Sequence, residues 1–452
     1  MNKKRLYIYH TFLSRRKDLG HFHSIKDLTN QLDYIQEMGF TAILTNPIFE
    51  SADDSHGYHT INFYEIDHRL GTVEDFETLL KELEKRNMSF VMDITLNHCS
   101  DQSFYFKDFK AGKNDFFVAK DYPENDRPTN IRGSIYEWRD DLKKYIVAPF
   151  GGMIPALNVS SPNVKNEMKN VLNFWLRKSP NNMHIRGDAI FHNSWVVDNF
   201  DGLPYCRFIR DTINEINPNI QIIGEVWYDL TYHDLKYTPV EYNKILGNTF
   251  DFYNVFGLVN QIREGRRYED LYIDSIYKKS VTLFSCNHDC SRLCSMLDND
   301  KEKVKMFLRA MIEKTRDEDC VSIYYGTENN MEGLLWNCSD VVVRQKYTIE
   351  DMAQVIKNKD SLFYYIKDLI YYKRRDVNMG RNHKHSNKKV LVYVLETSEY
   401  MLCEYCCICG RIKYLSRILN DDKTKMSNKD IIKKYKGLPV RSLTRKDMKY
   451  LR

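Results

Sequence analysis

Four short apolar runs of this chain each end in side chains that can hold or move protons. They are Phe90-Val91-Met92-Asp93-Ile94-Thr95-Leu96-Asn97-His98, His184-Ile185-Arg186-Gly187-Asp188, Ile222-Ile223-Gly224-Glu225-Val226-Trp227 and Leu283-Phe284-Ser285-Cys286-Asn287-His288-Asp289. Together they supply four carboxylates, an arginine and three histidines. Splitting a glycosidic bond uses such a set: one carboxylic acid protonates the leaving oxygen while a second carboxylate faces the other side of the sugar ring. A separation of ~5 Å gives retention through a covalent intermediate, and ~6.5–9.5 Å gives inversion. A third carboxylate can hold sugar hydroxyls, and a guanidinium beside the nucleophile keeps it ionised and oriented. Histidines at the same rim donate to hydroxyls. Asp188, Glu225 or Asp289 alone reads as a strand-end cap or salt bridge. All three in order, with Arg186, His98 and His288, read as a sugar-cleaving site.

These residues need elements that bring distant stretches to one cavity. Short apolar runs bounded by turns read as buried parallel strands, and in a parallel barrel the C-terminal strand ends share one open face. Strand-like and helix-like segments alternate for some 370 residues. The strands are expected at Leu6–Phe12, Thr41–Leu44, Ser89–Leu96, Met183–Asp188, Ile220–Glu225, Thr249–Tyr253, Val281–Cys286 and Val321–Tyr325. Helices are expected over Ser24–Met38, Val73–Arg86, Pro162–Leu176, Pro204–Ile216, Lys301–Lys314 and Ser361–Arg374. Pro162 stands in a first turn, where helix starts favour it. Eight strands suggest a closed barrel, although an open doubly wound sheet has the same alternation.

Cys99–Asn158 is too long for a simple loop and reads as a small excursion over the barrel's open face. From about Lys388 the pattern turns to alternating strands, Val390–Leu395 and Tyr400–Tyr414, followed by a charged tail. The expected division is therefore a barrel over 1–98 and 159–385, an excursion domain over 99–158 and a short β-domain over 386–452.

The 452 residues carry 67 Lys and Arg against 62 Asp and Glu, a net +5 spread along the chain. That balance gives no footing for nucleic acid or a membrane surface. No stretch approaches the ~18 apolar residues of a membrane span, and Leu6–Leu13 is too short and polar for a signal-peptide core. Eleven cysteines without an export signal read as free thiols in a reducing cytoplasm. The cluster at Cys403, Cys406, Cys407 and Cys409 lacks a second metal-binding knuckle and reads as apolar strand residues.

The motifs in combination resemble the α-amylase superfamily, retaining glycoside hydrolases on a (β/α)8 TIM barrel. The likeness is nearest to cyclomaltodextrinase-like and maltodextrin-cleaving enzymes and runs from about Tyr7 to Arg374. Beyond the four runs, it rests on Ile154-Pro155-Ala156-Leu157-Asn158, His56-Gly57-Tyr58, Phe63–Thr72 and Ile323-Tyr324-Tyr325-Gly326-Thr327-Glu328. It implies Asp188 as nucleophile, Glu225 as general acid/base and Asp289 as transition-state stabiliser. Arg186 would pair with Asp188, and His98 and His288 would touch hydroxyls of the sugar. Tyr58 would stack on that sugar, and His192 would pack in its loop, face an acceptor sugar or present its carbonyl to calcium. Asp93 would play a structural role. No cofactor is required, and Asn97 stands where members often carry a structural calcium site. The implied activity is hydrolysis of α-1,4-glucan oligosaccharides. The alternatives are a transglycosylase, an α-1,6-glucosidase or a non-catalytic carbohydrate-binding scaffold. The chain departs from the family at Met183-His184, where Asp-Gly is usual, and at Gly187, where a bulky apolar residue is usual. A glycine there is expected to loosen the nucleophile's strand by roughly 0.5–1 kcal/mol relative to alanine.

Overall fold

The computed structural model describes residues 5–54, 56–121, 135–192, 201–227, 237–335 and 340–379. It also describes the strands Asn387–Val394, Glu399–Cys406, Ile412–Arg417 and Val440–Leu443. Eight parallel strands close into a barrel. They are β1 Tyr7–His10, β2 Ala42–Leu44, β3 Ser89–Ile94, β4 Met183–Gly187, β5 Ile222–Gly224, β6 Asn248–Phe250, β7 Ser280–Phe284 and β8 Cys320–Tyr324. Each pairs with the next, and β8 returns to β1 through Tyr7 opposite Val321. The (β/α)8 barrel is the architecture expected from the sequence. Its strands are buried on both faces, which is why they read as continuous apolar runs.

The intervening helices start where side chains can satisfy their free backbone donors. Thr72 and Asp75 form a capping box for Val73–Lys85, whose Phe76, Leu79, Leu80 and Leu83 are buried. Ser161 caps Pro162–Leu176, and Asp300 caps Lys301–Glu313. Three expectations change. The helix over Ser24–Met38 divides at Gln31 into Ile25–Asn30 and Leu32–Glu37. Thr29 returns its hydroxyl to the Ile25 carbonyl at 2.8 Å, a bond that bends helices. The strand over Thr249–Tyr253 ends at Phe250, because the Asp251 carboxylate caps a helix over Phe252–Arg263. The strand over Tyr400–Tyr414 is instead two antiparallel strands, Glu399–Cys406 and Ile412–Arg417.

Between β3 and Pro162 the chain forms a helix, Phe104–Lys110, and a three-stranded antiparallel sheet. Lys144–Val147 is its centre, between Ala119–Lys120 and Tyr136–Arg139. Arg139 pins this excursion, bonding Asp101 and the Gly152 carbonyl, each at 2.7 Å. The returning segment lies against the loop after β3: Ala156 pairs with His98, and the Leu157 N–H donates to the Asn97 carbonyl at 2.9 Å.

The chain divides into two compact units, residues 1–370 and 371–452. The second contains a four-stranded sheet in which Asn387–Val394 lies between Glu399–Cys406 and Val440–Leu443. No described helix is long and apolar enough to cross a membrane.

Candidate active site

Strand register builds the centre of the site. Arg186 lies opposite Asp93 on β3 and Ile223 on β5, and Gly187 lies opposite Gly224. Asp188 and Glu225 therefore emerge side by side, one residue beyond a matched pair of glycines. Arg186 joins them. Its Nη1 donates to Asp188 Oδ1 at 2.6 Å and to both Asp93 oxygens at 2.7 Å, and its Nη2 is 2.7 Å from Glu225 Oε2. Glu225 also accepts from the Ala189 N–H at 2.9 Å and from Trp227 Nε1 at 3.1 Å. Ala189 has φ +39°, the left-handed region that costs a residue with a Cβ. That turn sends its N–H to Glu225 and its carbonyl to Asn97 Nδ2 at 2.7 Å.

One guanidinium cannot neutralise three buried carboxylates. Burial foremost holds the Asp188 carboxyl well above the usual carboxylate range; Glu225 and Asp93 push the same way, and Arg186 opposes them. Burial likewise raises Asp93 against the pull of Arg186. Asp188 and Asp93 therefore each hold a proton more tightly than an isolated carboxyl would.

Gly187 does not leave a void. A Cβ there would stand 3.0 Å from Ile190 Cδ1, and Ile190 also covers Gly224. Packing by Ile190 replaces the missing side chain, so the strand is filled from the following turn. His184 is also structural: its Nδ1 accepts from the Gln221 N–H at 3.1 Å.

Asp289 has different company. Arg344 Nη2 reaches its Oδ1 at 2.9 Å and His288 Nε2 its Oδ2 at 2.9 Å. Burial would raise this carboxyl, but His288, Arg344 and Arg186 outweigh that and hold it well below the usual range. Tyr58 ties the two sides together. Its hydroxyl donates to Asp93 at 2.8 Å, accepts from Arg186 at 3.1 Å and lies 2.9 Å from His288 Nε2. Its ring stacks on His288 at 5.4 Å between centroids.

His98 completes the wall, with Nε2 3.7 Å from Asp188 Oδ2 and Nδ1 2.7 Å from Asn97 Oδ1. Burial lowers its pKa to about 3, so it stays neutral near neutral pH. Asn97 is a brace rather than a fitting calcium ligand. Its amide nitrogen faces the Ala189 carbonyl, and its oxygen is taken by His98. Among the described residues, the only grouping of three possible metal-ligating side chains is Glu50, Asp67 and His68. There Asp67 is already held by Arg15 at 2.6 Å and Arg69 at 2.7 Å. Calcium needs several oxygens, and among the described residues the Asn97 amide is committed to Ala189 and His98.

His192 is buried against Phe150, 4.6 Å between centroids, and Phe150 lies 5.0 Å from His98. Sequence reasoning missed Phe150, Arg344 and His10. His10 ends β1 with its ring edge-on to His288 and Tyr324, at 5.9 and 5.1 Å. Its position inside an apolar run was the one available signal. The side chains of the four cysteines from 403 to 409 lie outside the described residues.

The alpha-amylase catalytic-domain family matches residues 14–362. Alpha-amylase 3 of Dictyoglomus thermophilum is 27 % identical over 323 residues, 68 % of this chain and 60 % of that protein. The chain thus spans about three-fifths of that relative's length. Oligo-1,6-glucosidase of Bacillus cereus is 23 % identical over 455 residues, 78 % of this chain and 80 % of its own. In fold, the crystal structure of alpha-amylase from H. orenii has a TM-score of 0.68 at 21 % identity, covering 89 % of this chain and 87 % of that one. With three acids gathered at the mouth of the barrel that the family match spans, the chain belongs to the alpha-amylase family.

Proposed function

We propose that the chain is a retaining α-glycosidase hydrolysing short α-1,4-linked glucans in the cytoplasm. The observation carrying this reading is the single Arg186 guanidinium, 2.6 Å from Asp188 and 2.7 Å from Glu225. Two carboxyl groups held that way favour the ~5 Å spacing of double displacement over the wider gap that admits a water. Glu225 protonates the leaving oxygen as Asp188 attacks the anomeric carbon and forms a glycosyl ester. Glu225, now a base, takes a proton from water, which attacks the same carbon and frees Asp188. The first step requires the proton on Glu225 and an ionised Asp188. Asp289, His98 and His288 face the sugar hydroxyls, Tyr58 its apolar face, and His192 backs the wall beside His98. The six cysteines whose side chains are described are buried and in no disulfide, which supports a reducing compartment.

Maltotriose to maltoheptaose, with isomaltose and panose alongside, incubated with the purified protein and resolved by chromatography, tests the reading. The expected result is shortening of the α-1,4 series, lost by roughly 10⁴-fold or more in Asp188→Asn. Cleavage of isomaltose alone would move the linkage to α-1,6, the bond in the Bacillus cereus relative's name. Longer products than the substrate would indicate transfer. Binding without cleavage would make the chain a carbohydrate-binding scaffold.

A further inference from the structure

The loop after β8 brings a cation to the site. Arg344 donates from Nε to the His288 carbonyl at 3.1 Å, and its Nη2 lies 2.9 Å from both Asp289 Oδ1 and Asp340 Oδ2. One side chain thus grips both ends of the His288-Asp289 pair. Its base is fixed: the Gly20 N–H donates to the Arg344 carbonyl at 2.7 Å, and the Tyr347 N–H to the Gly20 carbonyl at 2.9 Å. The Arg344 side chain is 9 % exposed, whereas that of Asp289 is 34 % exposed and open to the mouth. We propose that Arg344 is a positioning residue for sugar cleavage, aiming the Asp289 carboxylate at the sugar. This rests on the reading of Asp289 given above.

A planar guanidinium suits the task, because an ammonium could not keep the Nε bond to His288 while spanning two carboxylates. With Oδ1 on Arg344 and Oδ2 on His288, the carboxylate plane is set and its outer lone pairs stay open to the mouth. Among the described residues, the charged and titratable groups facing Asp289 include His288, Arg344, Arg186, Asp188, Tyr58, His56, His10 and Cys290. Removing Arg344 leaves Arg186 as the remaining guanidinium near Asp289, with the His288 ring still in contact.

Maltotriose turnover by Arg344→Gln and Arg344→Lys across pH tests the assignment. In Arg344→Gln, kcat is expected to fall about 100-fold, as for a misplaced reacting group, with a smaller change in KM. The acid limb of kcat/KM moves to higher pH, Arg344→Lys lies between, and added methylguanidinium restores part of the Gln variant's rate. A structural role alone would lower thermal stability and leave the limb in place. Variants within about threefold of wild type, or an unmoved limb in folded protein, overturn the assignment. Calorimetric binding of maltotriose to Asp188→Asn, with and without Arg344→Gln, separates the two readings. A wild type that binds but never cleaves defeats the functional reading. Even then, Arg344→Gln has to weaken binding, increasingly so from pH 7 to 5. Equal affinities overturn the role of Arg344, and no binding at all overturns both.

Discussion

Asp188 and Glu225 share Arg186 with a third carboxylate, Asp93, whereas Asp289, across the same rim, stands between Arg344 and His288. Burial raises the carboxyls on both sides, and the neighbours decide the outcome. On the first side negative charge exceeds positive, and the Asp188 carboxyl is pushed up. On the second, positive charge prevails and Asp289 is pulled down. A glycosidase needs both conditions a few ångströms apart: a proton to give at one wall, and a steady negative charge at the other to face the oxocarbenium-like transition state.

The largest expected effect comes from emptying one place in the Arg186 cluster. Glu225→Gln removes the acid and should lower maltotriose turnover about 10²–10⁴-fold. It also removes a negative neighbour, so Asp188 should ionise at lower pH. On an aryl glucoside, whose leaving group needs no proton, the acid limb of activity should shift downward. An unmoved limb would break the contrast between the two sides.

The positions of Asp188 and Glu225 were legible because buried parallel strands read as apolar runs and both acids sit where those runs stop. Arg344 was not, since Val341-Val342-Val343-Arg344 reads as an apolar stretch with a lone cation, and its partner lies 55 residues earlier. Phe150 was hidden for a similar reason: contacts distant in sequence, such as Ala156 with His98 and Leu157 with Asn97, bring its loop to the site. Gly187 looked like a weak point because its filler, Ile190, comes from the turn after the strand. The break at Gln31 follows from a threonine's bond to its own helix, which apolar periodicity does not register.

A smaller effect probes the histidines on the Asp289 side. Burial lowers His56 to about 4, with Asp53 opposing. The unfolded chain therefore binds more protons than the folded one between pH 6.5 and about 4, and stability falls as pH drops through that window. The full loss is roughly 3 kcal/mol at 1.36 kcal/mol per unit. His56→Gln should flatten the fall in Tm from pH 6.5 to 4; an unchanged slope would show that other groups carry it.

The smallest effect concerns the floor of the Arg186 cluster. Gly187→Val overpacks against Ile190 and should cost about 1–3 kcal/mol, read by denaturant unfolding. Adding Ile190→Ala should return part of it. Stability unchanged in Gly187→Val would mean that the strand has the slack expected of a bare glycine.

The central claim is that Asp188 is the atom-bonding carboxylate, and trapping tests it directly. Incubation with 5-fluoro-α-D-glucosyl fluoride, followed by proteolysis and mass spectrometry, should locate one glucosyl ester on Asp188. An ester on Glu225, Asp289 or any other carboxylate, or turnover of the reagent without an ester, would contradict it.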